Sequence, residues 1–90
     1  MSYNRKPDGN QERIVQELRD CGFVVEVLSR VGHGVPDLMV ADDERQVWIE
    51  IKMPGKKLTP DEVRFFARWP QRLRMVAECT EDVLRWFGRI

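Results

Sequence analysis

Ninety residues, with three Trp, four Phe and 42% hydrophobic side chains, suffice for one small core and exclude a second domain. The 15 basic and 15 acidic groups cancel, which excludes a uniformly basic nucleic-acid-binding surface. Their distribution is uneven: residues 1–51 carry 6 basic and 10 acidic groups, residues 52–74 carry 7 and 2, and residues 75–90 carry 2 and 3. An acidic cluster followed by a basic segment suits an enzyme that holds a cation and an anionic polymer together. Cys21 and Cys79 lack CxxC spacing and are expected as reduced thiols. No apolar run approaches a membrane span, and residues 1–9 contain no signal-peptide core. A cytoplasmic protein of a prokaryotic or virus-infected cell, with no membrane partner, is therefore expected.

Residues 1–9 are expected to form a flexible arm offering Arg5 and Lys6 to a phosphate backbone, and residues 10–90 a single domain. Asn10 can cap a first helix, whose apolar positions Ile14, Val15, Leu18 and Cys21 recur at helical spacing, with Gly22 ending it. Phe23–Leu28 is a first strand. The loop from Ser29 to Gly34 is glycine-rich enough to let backbone approach a phosphate closely, with Arg30 and His33 as candidate DNA contacts. A lone loop histidine such as His33 is more often a surface group than a ligand or base, and its place just before Pro36-Asp37 is what makes it a candidate contact.

The next two runs, Val35–Ala41 and Gln46–Lys52, are short, apolar and β-branched, separated by polar Asp42-Asp43-Glu44-Arg45. They predict a hairpin with a four-residue loop. With Ala41 opposite Gln46, Asp37 falls opposite Glu50, their Cβ atoms about 4.5–5.5 Å apart on one face. Strand alternation adds Lys52 to that face. Facing carboxylates repel, and a divalent cation removes the repulsion, because Mg²⁺ takes one or two carboxylates together with waters and phosphate oxygens. The Ile51 carbonyl can supply a further oxygen. A lysine beside such a cation orients water and offsets charge developing on a phosphate. The competing account makes Asp37 a turn cap after Pro36, with Glu50 and Lys52 on a solvated strand face.

After Lys52 the chain crosses to a second helix that starts at Thr59-Pro60-Asp61-Glu62, an N-cap threonine, an N1 proline and a capping-box glutamate. Lys56 and Lys57 in the crossover, and Arg64 and Arg68 one turn apart on the helix, can follow a DNA backbone. Solvated arginines explain the last pair as well. Trp69-Pro70 ends the helix. Arg74–Ala77 is a fourth strand, parallel to its neighbour because it follows a helical crossover. Thr80-Glu81-Asp82 opens a last helix whose Val83, Leu84, Trp86, Phe87 and Ile90 call for cover by the sheet or by a partner subunit.

Pro36-Asp37 followed by Glu50-Ile51-Lys52 resembles the PD-(D/E)XK nuclease signature. Gly32-x-Gly34-x-Pro36-Asp37-Leu38 before it, and Pro54-Gly55-Lys56-Lys57-Leu58-Thr59-Pro60 after it, are similar to the VRR-NUC branch, from about Gln11 to Phe66. The resemblance implies the α/β core of archaeal Holliday-junction resolvases: a mixed four-stranded sheet flanked by helices, in the order α-β-β-β-α-β-α. It implies catalysis by Asp37, Glu50 and Lys52 with Mg²⁺ or Mn²⁺. The metal set would be Asp37, Glu50, the Ile51 carbonyl and a first-helix glutamate, for which Glu12 is the candidate, with Gln11 and Glu17 as alternatives. A dipole-stabilised first-turn glutamate accounts for Glu12 equally. Ser29 stands nearest to a serine that joins the resolvase active site. Glu62 departs from the family, which usually has glutamine there. The expected function is a structure-selective endonuclease on branched DNA, such as Holliday junctions, acting as a homodimer. The alternatives are a flap- or nick-processing nuclease, a catalytically silent DNA-binding module of the same fold, or a small subunit docking through its aromatic C-terminal helix.

Overall fold

The hairpin sets the frame of the sheet. A computed structural model describes residues 7–90, with side chains from Asn10 onward. Strand β2 (Leu38–Ala41) and strand β3 (Gln46–Ile51) are antiparallel with Ala41 opposite Gln46 and Leu38 opposite Ile49. This is the expected register, and it leaves Asp37 one step beyond Leu38, opposite Glu50. Asp42 closes the loop: its Oδ1 accepts from the N–H groups of Glu44 (2.9 Å) and Arg45 (2.8 Å), and its own N–H donates to the Arg45 carbonyl. Strand β1 (Val24–Val27) pairs antiparallel with β2 on one side, and β4 (Arg74–Ala77) pairs parallel with β3 on the other. The sheet is therefore mixed, in the order β1-β2-β3-β4.

Helix α1 (Pro7–Asp20) and helix α3 (Thr80–Trp86) cover one face. Ile14, Val15 and Leu18 of α1 meet Val25, Leu38, Val40, Val47, Ile49 and Ala77 of the strands, and Val83 and Phe87 close the cluster. Truncating a fully buried Leu or Ile here to Ala costs about 2–5 kcal/mol. The last helix thus packs its apolar side on the sheet, and Ile90 alone of its expected apolar set is largely exposed. Helix α2 (Pro60–Ala67) lies on the opposite face, where Trp48 meets Phe65 (ring centroids 5.1 Å apart) and Trp69 (5.2 Å). Arg74 ties it down by donating from Nε to the Trp69 carbonyl at 2.9 Å.

The expected start of the first helix needs correction. Helix α1 begins at Pro7, so Asn10 lies inside it rather than capping it; its Oδ1 accepts from Arg13 at 2.8 Å. Proline fits the first helical turn, where its missing N–H has no partner to lose, and that was the available signal. Residues 7–9 of the expected arm are helical, and Arg5 and Lys6 lie outside the described residues. The glycine-rich loop also makes a contact within the fold. Gly32, His33 and Gly34 all have left-handed backbone, with φ of 79°, 58° and 81°. The close approach made there is to α2: a Cβ on Gly34 would stand 2.3 Å from the Asp61 carbonyl oxygen. The loop that delivers Asp37 is thereby pressed against the first turn of α2, which carries Glu62.

Gly34→Ala is expected to cost more than about 2 kcal/mol, because left-handed strain adds to a backbone collision. Gly32→Ala meets no atom within 4 Å and carries the strain alone. Thermal melts of both variants check this: Gly34→Ala should lower Tm by about 10 °C or more, and clearly further than Gly32→Ala. Equal shifts would refute a role for the contact.

Candidate active site

Asp37, Glu50 and Lys52 come together at the open end of the hairpin. Beyond the last β2 ladder pair, the Asp37 carboxylate takes the place of a strand neighbour, with Oδ2 accepting from the Ile51 N–H at 2.9 Å. The N–H and C=O of one extended residue leave on the same edge of its strand, so the Ile51 carbonyl faces the Asp37 side. Glu50 is buried, with 4% of its surface exposed. Lys52 Nζ stands 3.6 Å from Glu50 Oε2 and 3.0 Å from Glu62 Oε1.

Glu62 is the residue whose place sequence reasoning undervalued. The expected capping box forms: Glu62 N–H donates to Thr59 Oγ1 at 3.3 Å, and Thr59 N–H donates to Glu62 Oε1 at 2.8 Å. The same oxygen that caps the helix also holds the lysine. Its neighbourhood to Lys52 follows from the packing of α2 over β3, for which a capping motif gives no signal.

Three carboxylates and one ammonium share this end of the sheet, and their acidities diverge. Burial, then the charges of Asp37 and Glu62, push Glu50 up to about 8. Burial also raises Asp37, against hydrogen bonds from the Ile51 N–H and from Glu50 that pull it down. Glu62 goes the other way: burial opposes its ionisation, but the Thr59 N–H and Lys52 outweigh it. Burial likewise works against the Lys52 ammonium, and the surrounding carboxylates more than compensate, so Lys52 holds its proton more firmly than usual. At neutral pH the Asp37–Glu50 pair thus retains a proton that an adjacent cation would displace.

A pocket of about 330 Å³ opens here, lined by Gln11, Asp37, Glu50, Ile51, Lys52, Met53, Lys56 and Lys57. Gln11, not Glu12, is the α1 side chain that reaches it, because Gln11 continues the inward stripe of Ile14, Val15 and Leu18 at helical spacing. Glu12 is exposed and lines an adjoining groove with Ser29, Arg30, Gln16 and Arg19. Glu17 is engaged elsewhere, accepting from the Thr80 hydroxyl. Ser29 reaches the pocket indirectly, as its Oγ accepts from Gln11 Nε2 at 3.1 Å. His33 is exposed and does not line the pocket. Arg64 pairs with Asp61, and Arg68 lies over the Phe65 ring at 4.9 Å, so neither faces the pocket.

The donor set suits a hard divalent cation. Two carboxylates and a carbonyl are all oxygen ligands, and they leave positions open for water and phosphate oxygens, as Mg²⁺ and Mn²⁺ require. Among the described residues no group of three or more His, Cys, Asp or Glu side chains converges on one point, so a closed, fully protein-ligated site is absent from them. No described helix is long and apolar enough to cross a membrane.

Among curated proteins the chain is similar to "Putative nuclease p44" of Acyrthosiphon pisum secondary endosymbiont phage 1. The two are 34% identical over 65 residues, which make up 70% of this chain and 70% of that protein. No protein-family model matches the chain, and no solved structure does.

Proposed function

The chain belongs to the nuclease family of that phage protein, and on that premise we propose that it is a deoxyribonuclease of the PD-(D/E)XK class, VRR-NUC branch, dependent on Mg²⁺ or Mn²⁺. The observation that carries the proposal is the meeting of Asp37, Glu50 and Lys52 at one end of the hairpin, with Lys52 Nζ 3.6 Å from Glu50. A structure-only role gives no reason to place an aspartate opposite a buried glutamate.

Asp37, Glu50 and the Ile51 carbonyl would hold the cation. When bound, it supplies Lewis-acid polarisation of the phosphodiester and lowers the pKa of water. Asp37 is oriented by the Ile51 N–H. Glu50 would give up its proton to water and offer the cation a carboxylate. Lys52, held by Glu62, presents an ammonium that hydrogen-bonds the attacking water and offsets negative charge on the phosphate. Lys56 and Lys57 at the rim attract the backbone. Glu12, Arg64 and Arg68 have no part in this scheme, given where they stand.

Branched DNA is the proposed substrate and a homodimer the proposed form, since a two-fold dimer sets two sites across the two-fold of a four-way junction. Flap or nick processing is the alternative that uses the same chemistry. Incubating the protein with a labelled four-way junction, a flap and a nicked duplex, each with Mg²⁺, Mn²⁺ or EDTA, tests the proposal. Paired, metal-dependent cuts in the junction support it. Cuts in flaps or nicks alone keep the chemistry and remove the junction, and metal-independent binding without cleavage leaves a silent DNA-binding module.

A further inference from the structure

The pocket has two unlike walls. Asp37, Glu50 and Lys52 make the charged one. Side chains alternate along a strand, so Ile51 and Met53 emerge on the other side of β3, toward Gln11, and make the second wall largely apolar. Met53 is 43% exposed, and of the large exposed apolar side chains it is the one that lines this charged pocket.

This methionine is also held. Its carbonyl accepts from the Lys56 N–H at 3.0 Å, and Gly55 between them has φ of 84°, which with Pro54 gives the turn a type II form. Its Sδ accepts from Asn10 Nδ2 at 3.7 Å. Beside it Gln11 gives one N–H to Ser29, and among the described residues its amide oxygen and second N–H have no other partner and can meet a polar edge. Lys56 and Lys57 flank the same rim. At about 330 Å³ the pocket is near the lower end of the range of about 300–1,000 Å³ for ligand sites, the size of one nucleotide unit. A methionine can serve as an apolar wedge between base steps, and its thioether suits an aromatic face.

Building on the phosphodiester function proposed above, we propose that the pocket takes the nucleotide next to the scissile phosphate unstacked from its neighbour. Its base lies against Met53 and its polar edge meets Gln11, so DNA already opened at the cleavage step is the preferred substrate class. Opened DNA has no stacking left to lose there, whereas paired DNA must be unstacked at a cost of a few kcal/mol per step.

The test uses the full chain and four-way junctions carrying 2-aminopurine beside the cleaved step, bound in Ca²⁺. Fluorescence should rise on binding to wild type, rise much less with Met53→Ala, and recover with Met53→Leu. In Mn²⁺, wild type should cut a junction mismatched at that step faster than the fully paired one. Met53→Ala should widen this preference by about tenfold, equivalent to about 1.4 kcal/mol. A wild-type complex without a fluorescence rise, or an unchanged preference in Met53→Ala, overturns the proposal. If wild type cuts nothing but the fluorescence pattern holds, hydrolysis falls and the nucleotide subsite stands. A chain that binds no DNA removes both.

Discussion

Replacing Asp37 by Asn or Lys52 by Ala is expected to lower metal-dependent DNA cleavage by about 10²–10³-fold or more, the loss seen when a preorganised charge is removed from a transition state. The two variants should fail for different reasons. Asp37→Asn keeps an oxygen for the Ile51 N–H, so the hairpin end stays in place, but it gives up one of two carboxylates for the cation. Metal-induced thermal stabilisation should vanish with the activity. Lys52→Ala removes the ammonium that now partly neutralises Glu50 and Glu62, at 3.6 and 3.0 Å. Its site is more negative, so it should bind Mn²⁺ at least as tightly as wild type while cutting poorly. Titrations of Mn²⁺ followed by thermal shift, beside cleavage rates, separate the two. A Lys52→Ala protein that cuts at the wild-type rate would exclude Lys52 from the chemistry.

The second large effect is a dependence of stability on pH that divalent ions reverse. Glu50 is raised from an ordinary 4.5 to about 8 by burial and by Asp37 and Glu62. Below about pH 4.5 the carboxyl is protonated whether the chain is folded or not, and its contribution is fully present. Between about 4.5 and 8 the unfolded chain has released a proton that the fold retains. In that window each pH unit costs the folded state up to about 1.4 kcal/mol. Above about 8 both forms are ionised and the loss is complete. The raised Asp37 acts in the same direction. Urea melts in EDTA should therefore show stability falling by a few kcal/mol, as an order of magnitude, from pH 5 to pH 8. Glu50→Gln, neutral at every pH, should flatten the slope. The proposed metal binding would need the ionised pair and release its proton, so Mg²⁺ or Mn²⁺ should stabilise wild type more as pH rises, and Glu50→Gln far less. A flat wild-type profile in EDTA would mean that Glu50 is not desolvated as the fold implies.

Much of this site was legible in the chain because strands and turns are local. The β-branched runs and the polar loop at Asp42–Arg45 fix the hairpin register, and the register alone puts Asp37 opposite Glu50. Alternation places Lys52, and Thr59-Pro60-Asp61-Glu62 states where α2 starts. Strand β4 forms over the expected residues Arg74–Ala77, since Pro70 and the helix before it leave it no other place.

What the sequence could not decide depends on how distant elements meet. Helical spacing already sets Gln11 nearer the inward face than Glu12, but that this end of α1 reaches the pocket depends on how the helix is buried against the sheet. Glu62 holds Lys52 because Trp48, Phe65 and Trp69 seat α2 on one face and Gly34 lets the loop press on its first turn. Met53 gains meaning only where the end of β3 meets α1. Pairing and capping are carried by neighbours in the chain, whereas the rotation of a helix and its seat on a sheet come from packing across the whole domain, and packing is what tertiary structure supplies.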